Sequence, residues 1–123
     1  MIGRSTFLLA GMLALTTAAH AQTAASKIAS ERALFAKIVE IPTVEGQPAE
    51  FKKLTTLLAA EFRKAGITNV IVNDHDNTQT MIVRWPAAKP SGKKPILLMA
   101  HMDVVAAKAS DWKYPPFKFR EEG

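Results

Sequence analysis

Apolar residues in the first half of the chain recur about every three or four positions, which is the spacing of amphipathic helices. The first such stretch predicts a helix over residues 27–40, with Ser26 as its N-cap and Pro42 preventing its continuation. The second predicts a helix that starts at Pro48 and ends at Gly66. The apolar faces of these helices comprise Ile28, Leu34, Phe35 and Ile38 in the first, and Phe51, Leu54, Leu58 and Phe62 in the second.

After Gly66 the pattern changes to short β-branched and apolar runs, which are typical of strands. Residues 69–72 and 80–85 predict the two strands of a hairpin, joined by a polar turn at 73–77. Residues 95–100 predict a third strand, and its lack of polar alternation indicates burial on both faces, as in a parallel sheet. The expected fold class is therefore α/β, with two helices, a hairpin and a buried parallel strand.

The N-terminus has the composition of a secretory signal peptide. Arg4 precedes an apolar run at residues 7–15, and small residues then lead to an A-x-A sequence that ends at Ala21. This run is shorter than the ~20 apolar residues that cross a bilayer, so a cleaved signal is favoured over a stable membrane anchor. We predict a signal peptide at residues 1–21, a mature chain from Gln22, and export to the periplasm or out of the cell.

The chain carries a formal net charge of +5 and contains no cysteine. Its basic residues form separate pairs without interleaved aromatic residues, which favours a solvated surface over a binding site for nucleic acid or membrane. A cationic surface binder, which would show strongly salt-dependent binding, is therefore the least favoured interpretation. Without disulfides, stability must come from packing, from a metal or from further chain.

Residues with catalytic chemistry follow the predicted buried strand directly, in the sequence His101-Met102-Asp103-Val104-Val105. Sites in open α/β sheets lie beyond the carboxyl ends of the strands. In extended backbone His101 and Asp103 share a face, so the carboxylate can accept the proton of one ring nitrogen and leave the other nitrogen for a metal. Because a zinc site needs about three or four protein ligands, these residues alone leave a packed or solvent-facing histidine as the alternative.

The wider context of His101 resembles a known family. Residues 97–105, followed by Trp112, by Pro116-Phe117 and by a glycine, are similar to the dinuclear zinc exopeptidases and deacylases, which include acetylornithine deacetylases, succinyl-diaminopimelate desuccinylases, aminoacylases and related carboxypeptidases. Ile41-Pro42-Thr43-Val44 is similar to the Ile-Pro-Ser-Val loop that follows the first helix of that family. The resemblance extends over nearly all of residues 22–123 and includes the order of the predicted elements.

The resemblance implies a fold, an activity and a site. Residues 22–123 would be the N-terminal portion of the catalytic domain of a longer enzyme, an incomplete three-layer zinc-exopeptidase-like sandwich. His101 would be a ligand of one of two zinc ions, and Asp103 the catalytic-site aspartate that orients it. The implied reaction is hydrolysis of an amide or peptide bond in a small N-acyl amino acid or peptide.

The other catalytic residues of the family lie beyond the position that corresponds to Gly123. They include the bridging aspartate, the general-base glutamate and the remaining zinc ligands. We therefore expect this chain alone to be inactive, and a homodimer only for the complete enzyme.

Other side chains with possible metal-binding or catalytic chemistry lie in predicted turns and loops. Asp74, His75 and Asp76 form a compact trio of candidate metal ligands, but the flanking asparagines predict a turn instead. Glu45, beside Gly46, is likewise expected to be a loop acid. The alternative function is a small secreted α/β binding module without catalysis, which should fold and unfold cooperatively by itself.

Overall fold

The computed structural model describes residues 6–89 and 91–122, with side chains described from residue 23 onward. The chain divides into two compact units, Met1–Lys37 and Ile38–Gly123. The described elements are helix α1 (Thr6–Val39), helix α2 (Pro48–Lys64), strand β1 (Val70–His75), strand β2 (Thr78–Val83) and a short 3₁₀ helix (Ala109–Asp111). A small mixed α/β fold, as predicted, is therefore confirmed.

Helix α1 begins well before the predicted start. Ser26 does not cap it but lies within it, where its hydroxyl donates to the Thr23 carbonyl oxygen at 3.0 Å. The residues upstream are rich in alanine and leucine, which favour helix and allow it to extend in this direction. The predicted end is confirmed at Val39. The predicted apolar face is only partly covered, since Ile28 and Phe35 are exposed whereas Leu34 and Ile38 are half-buried.

The predicted signal peptide includes residues 1–5, which lie outside the described residues, and its cleavage stays a prediction. In the described part of the chain, no helix combines the length and the apolar character needed to cross a membrane.

Helix α2 follows the predicted pattern and contributes most of the core. Proline occupies its first turn, Glu50 lies near its N-terminus and two basic residues lie in its last turn, which matches the helix dipole. Phe51 and Leu54 are buried, and α2 contacts both strands of the hairpin. The helix is followed by Gly66 with a φ of +81°, a left-handed conformation that glycine adopts without steric cost. The buried residues of the core are Ile41, Thr43, Phe51, Leu54, Thr55, Ala59 and Ile67.

Strands β1 and β2 pair in antiparallel register from Val70 opposite Val83 to His75 opposite Thr78. The hairpin is confirmed, but its turn is shorter than predicted, because β1 continues to His75. Asp76 has a φ of 36°, which aspartate tolerates better than most residues. The Thr55 hydroxyl of α2 donates to Gln79 of β2 at 2.5 Å, and the Gln79 amide donates to the Asp74 carboxylate of β1. This chain of hydrogen bonds joins the helix to both strands.

The predicted buried parallel strand at residues 95–100 is wrong for this structure. Among the described residues, the sheet consists of two antiparallel strands, and residues 95–100 have neither helical nor strand hydrogen bonding. Ile96, Leu97, Leu98 and Met99 are 79–89% exposed. A continuous apolar strand is buried only when neighbouring strands and helices cover both faces. In the described part of the chain, α2 packs on the hairpin and leaves this run uncovered.

Candidate metal centre

The segment that contains His101 is attached to the loop between α1 and α2. Thr43 in that loop is 1% exposed. Its hydroxyl donates to the Met102 carbonyl oxygen at 2.5 Å, and its carbonyl oxygen accepts the Val104 N–H at 3.1 Å. The loop therefore holds the main chain on both sides of Asp103.

His101 and Asp103 meet, as the spacing predicted. His101 Nδ1 lies 2.8 Å from the Asp103 carbonyl oxygen and 3.2 Å from Asp103 Oδ1. Both neighbouring atoms only accept hydrogen bonds, so Nδ1 is the donor and a neutral ring carries its lone pair on Nε2. The two side chains are 82% and 69% exposed. The ring is therefore oriented locally while its second nitrogen stays accessible to solvent.

The contact differs from the prediction in one respect, because the nearer acceptor is the main-chain carbonyl oxygen of Asp103 and not its carboxylate. Histidines that bind metals commonly donate their other N–H either to a carboxylate or to a backbone carbonyl. Asp103 offers both groups to the same nitrogen. An exposed contact of this kind contributes little to folding stability, so its effect is chiefly on the orientation of the ring.

A metal would find one suitable nitrogen here. Nε2 of a neutral imidazole is a good zinc ligand, and its lone pair fits that role. Within the described residues, no group of three or more histidine, cysteine, aspartate or glutamate side chains could hold a metal ion. The described part of the chain thus provides His101 as one ligand and does not complete a coordination sphere.

The trio Asp74, His75 and Asp76 is not arranged as a ligand cluster. The structure places Asp74 and His75 in β1 and Asp76 in the turn, so the turn prediction is confirmed for Asp76 and wrong for the other two. Neighbouring side chains on a strand point to opposite faces. The Asp74 carboxylate also accepts a hydrogen bond from the Gln79 amide. Glu45 is exposed in the loop between the helices, as expected of a loop acid.

The loop after the candidate centre is held by contacts of its own. The Arg120 guanidinium stacks on the Tyr114 ring, with Cζ 3.5 Å from the ring centroid. The Phe119 N–H donates to Glu40 Oε1 at 3.3 Å, which connects this loop to the residue after α1. Trp112 is 61% exposed, whereas Pro116 and Phe117 are half-buried. The latter two are therefore partly packed within the loop.

Thr43 is the residue that sequence reasoning did not single out. It lies in the Ile41-Pro42-Thr43-Val44 loop, and the sequence alone predicts no role for it. Its partner Met102 is 59 positions away, and no local pattern reports a contact over that separation. A threonine directly after Pro42, in a short loop between two helices, is the one signal that could have drawn attention to it.

Comparison of the chain with protein-family models, with curated proteins and with solved structures finds no match.

Proposed function

We propose that this chain is the N-terminal part of the catalytic domain of a zinc-dependent enzyme that hydrolyses an amide or peptide bond. The observation that carries the proposal is the orientation of His101, whose Nδ1 donates to Asp103 and whose Nε2 keeps an accessible lone pair. Zinc-binding histidines are commonly held in this manner. The resemblance of residues 97–105 to the zinc exopeptidases and deacylases supports the same assignment.

In this proposal the residues of the chain have separate tasks. His101 offers one neutral nitrogen to a zinc ion, and Asp103 keeps the proton on the opposite nitrogen. When bound, a pair of zinc ions polarises the amide carbonyl and lowers the pKa of a water molecule. In this proposal the general base and the remaining ligands come from other parts of the enzyme, because the described residues hold no group of three or more such ligands.

The exposed apolar run supports a larger fold. Ile96 and Leu98 are 88% and 89% exposed, although an apolar run of this kind is usually covered on both faces. In this proposal, further elements of the same enzyme cover the run and bring more ligands to His101. The proposed substrate is a small N-acyl amino acid or the C-terminal end of a peptide. Export by a cleaved signal peptide and dimerisation of the complete enzyme belong to the same proposal.

The first test is a zinc titration of the whole chain in which the chemical shifts of the histidine rings are monitored by NMR. We expect weak binding, because one histidine cannot fill a coordination sphere, with the largest shifts at His101 Nε2. His101→Ala should abolish these shifts. His75→Ala is the matched control, because His75 is also exposed and lies between two aspartates, and it should leave the His101 shifts intact. Tight zinc binding that survives His101→Ala would disprove the assigned ligand.

The second test is activity. The chain of residues 1–123 should not hydrolyse N-acyl amino acids or short peptides. The complete enzyme should hydrolyse one of these classes, and either chelation or His101→Ala should remove that activity. Stoichiometric, EDTA-sensitive hydrolysis by residues 1–123 alone would contradict the proposed division of the site.

A binding module without catalysis is the second candidate. It is favoured by the packed core of α2 and the hairpin, in which Phe51 and Leu54 are 2% and 4% exposed. This candidate predicts cooperative unfolding, dispersed NMR signals and no preferential response of His101 to zinc. The zinc titration therefore separates the two candidates.

A further inference from the structure

We infer that Thr43 is a positioning residue that turns the carbonyl group of Asp103 toward the His101 ring. The inference deepens the proposed function and rests on it for its catalytic meaning. Thr43 is one of the most deeply buried residues of the chain, at 1% exposed, and both of its hydrogen bonds to the candidate centre go to the main chain.

The two hydrogen bonds of Thr43 to residues 102 and 104 have the pattern of a parallel strand pair, except that the hydroxyl and not the main-chain N–H is the donor. In a parallel strand pair, the N–H of one residue donates to the carbonyl oxygen of the residue that precedes its opposite neighbour. Its carbonyl oxygen accepts the N–H of the residue that follows that neighbour. Thr43 accepts from the Val104 N–H, but its own N–H donates to the Ile41 carbonyl oxygen at 3.0 Å. The hydroxyl takes the place of that N–H and donates to the Met102 carbonyl oxygen at 2.5 Å. Thr43 thus acts as the residue opposite Asp103.

This pairing determines where the groups of Asp103 point. In a strand pair, the polar main-chain groups of successive residues point to alternate sides. The Met102 carbonyl and the Val104 N–H both point to the loop that contains Thr43, so the Asp103 carbonyl between them points away from that loop. That carbonyl oxygen is the nearer acceptor of His101 Nδ1, at 2.8 Å. Thr43 therefore acts on the ring through the intervening peptide groups and does not touch it.

The conformation of the loop around Thr43 is restricted by its own residues. Pro42 has a fixed φ, and its carbonyl oxygen accepts the Val44 N–H at 2.7 Å. Ile41 is buried at 6% exposed. The hydroxyl is thus presented from a constrained loop, and a side chain of equal shape without a hydroxyl could not replace the missing N–H donor.

The test measures the ratio of the two neutral tautomers of His101 from its ring ¹⁵N shifts, in the whole chain without metal. We expect the Nδ1-protonated form to dominate in the parent chain. Thr43→Val should reduce the ratio of Nδ1-protonated to Nε2-protonated ring about fivefold, the effect of one net hydrogen bond. Thr43→Ser, which keeps the hydroxyl, should restore the parent ratio. Thr56→Val, at an exposed site on α2, is the matched control and should change nothing.

An unchanged tautomer ratio in folded Thr43→Val would overturn the inference, as would a Thr43→Ser variant that behaves like Thr43→Val. Should Thr43→Val not fold, Thr43→Ala and Thr43→Ser replace it in the comparison, because they differ only in the hydroxyl. The measurement uses no zinc, so it can succeed where the zinc titration fails. The failure of the proposed function and the failure of this inference are therefore distinguishable.

Discussion

At the residue scale, the orientation of one imidazole depends on two groups of a single neighbour. Asp103 places a carbonyl oxygen at 2.8 Å and a carboxylate oxygen at 3.2 Å from His101 Nδ1. The carbonyl is part of the main chain, whose direction is set by the hydrogen bonds of Met102 and Val104. The carboxylate belongs to a flexible side chain that is 69% exposed. The main-chain carbonyl oxygen of Asp103 is therefore the more rigid of the two acceptors.

This difference makes Asp103→Ala informative. The variant keeps the nearer main-chain acceptor, so we expect most of the preference for the Nδ1-protonated ring to remain. Stability should change by less than about 0.5 kcal/mol, because the lost contact is exposed. Ring ¹⁵N shifts and urea unfolding of the whole chain would measure the two quantities. Complete loss of the tautomer preference would show that the carboxylate, and not the carbonyl, orients the ring.

At the element scale, α2 and the hairpin form the packed part of the residue 38–123 unit. Phe51 and Leu54 of α2 are nearly inaccessible to solvent, and the helix contacts both strands. Thr55 donates to Gln79, which fixes the helix against β2 with a polar contact beside the apolar ones. Residues 95–100 lie outside this packing despite their apolar character.

A matched pair of leucine substitutions tests this arrangement. Leu54→Ala should destabilise the chain by about 2–5 kcal/mol, because it leaves a cavity in the core. Leu97→Ala removes the same atoms from a side chain that is 79% exposed, so it should cost less than about 0.5 kcal/mol. Urea unfolding of both variants would give the comparison. A cost at Leu97 that equals the cost at Leu54 would mean that residues 95–100 are buried in solution.

At the scale of the whole molecule, the residues whose side chains are described include more exposed large apolar residues than buried ones. They include Trp85 and Val105, at 81% and 87% exposed, together with the run from Ile96 to Met99. Apolar runs with unpaired main-chain groups readily pair with other chains. The net charge of +5 opposes association but is spread over separate sites. We therefore expect the isolated chain to self-associate through residues 96–99.

Leu98→Lys tests that expectation, because it places a charge in the centre of the exposed run. We expect this variant to show less concentration-dependent association in sedimentation velocity than the parent chain, with an unchanged free energy of unfolding. Thr56→Lys adds the same charge at an exposed site on α2 and serves as the control, which should associate more than Leu98→Lys. Equal behaviour of the two variants would locate the association elsewhere and remove one support for the larger fold.

The sequence alone was sufficient for features whose causes act within one segment. Helix α2, the hairpin and the meeting of His101 with Asp103 all follow from side-chain spacings of a few residues, and the structure contains each of them. The predictions were wrong for the start of α1, which lies earlier in the chain, and for the length of the hairpin turn, which is shorter. The competing local preferences at these boundaries are close in energy.

Only the tertiary structure decided the exposure of residues 95–100 and the contact between Thr43 and Met102. Burial depends on which distant elements cover a run, and a hydrogen bond across 59 positions depends on where the chain returns. Neither is encoded in the periodicity of a single segment. For that reason the candidate ligand could be recognised from its neighbours along the chain, whereas the residue that positions it required the fold.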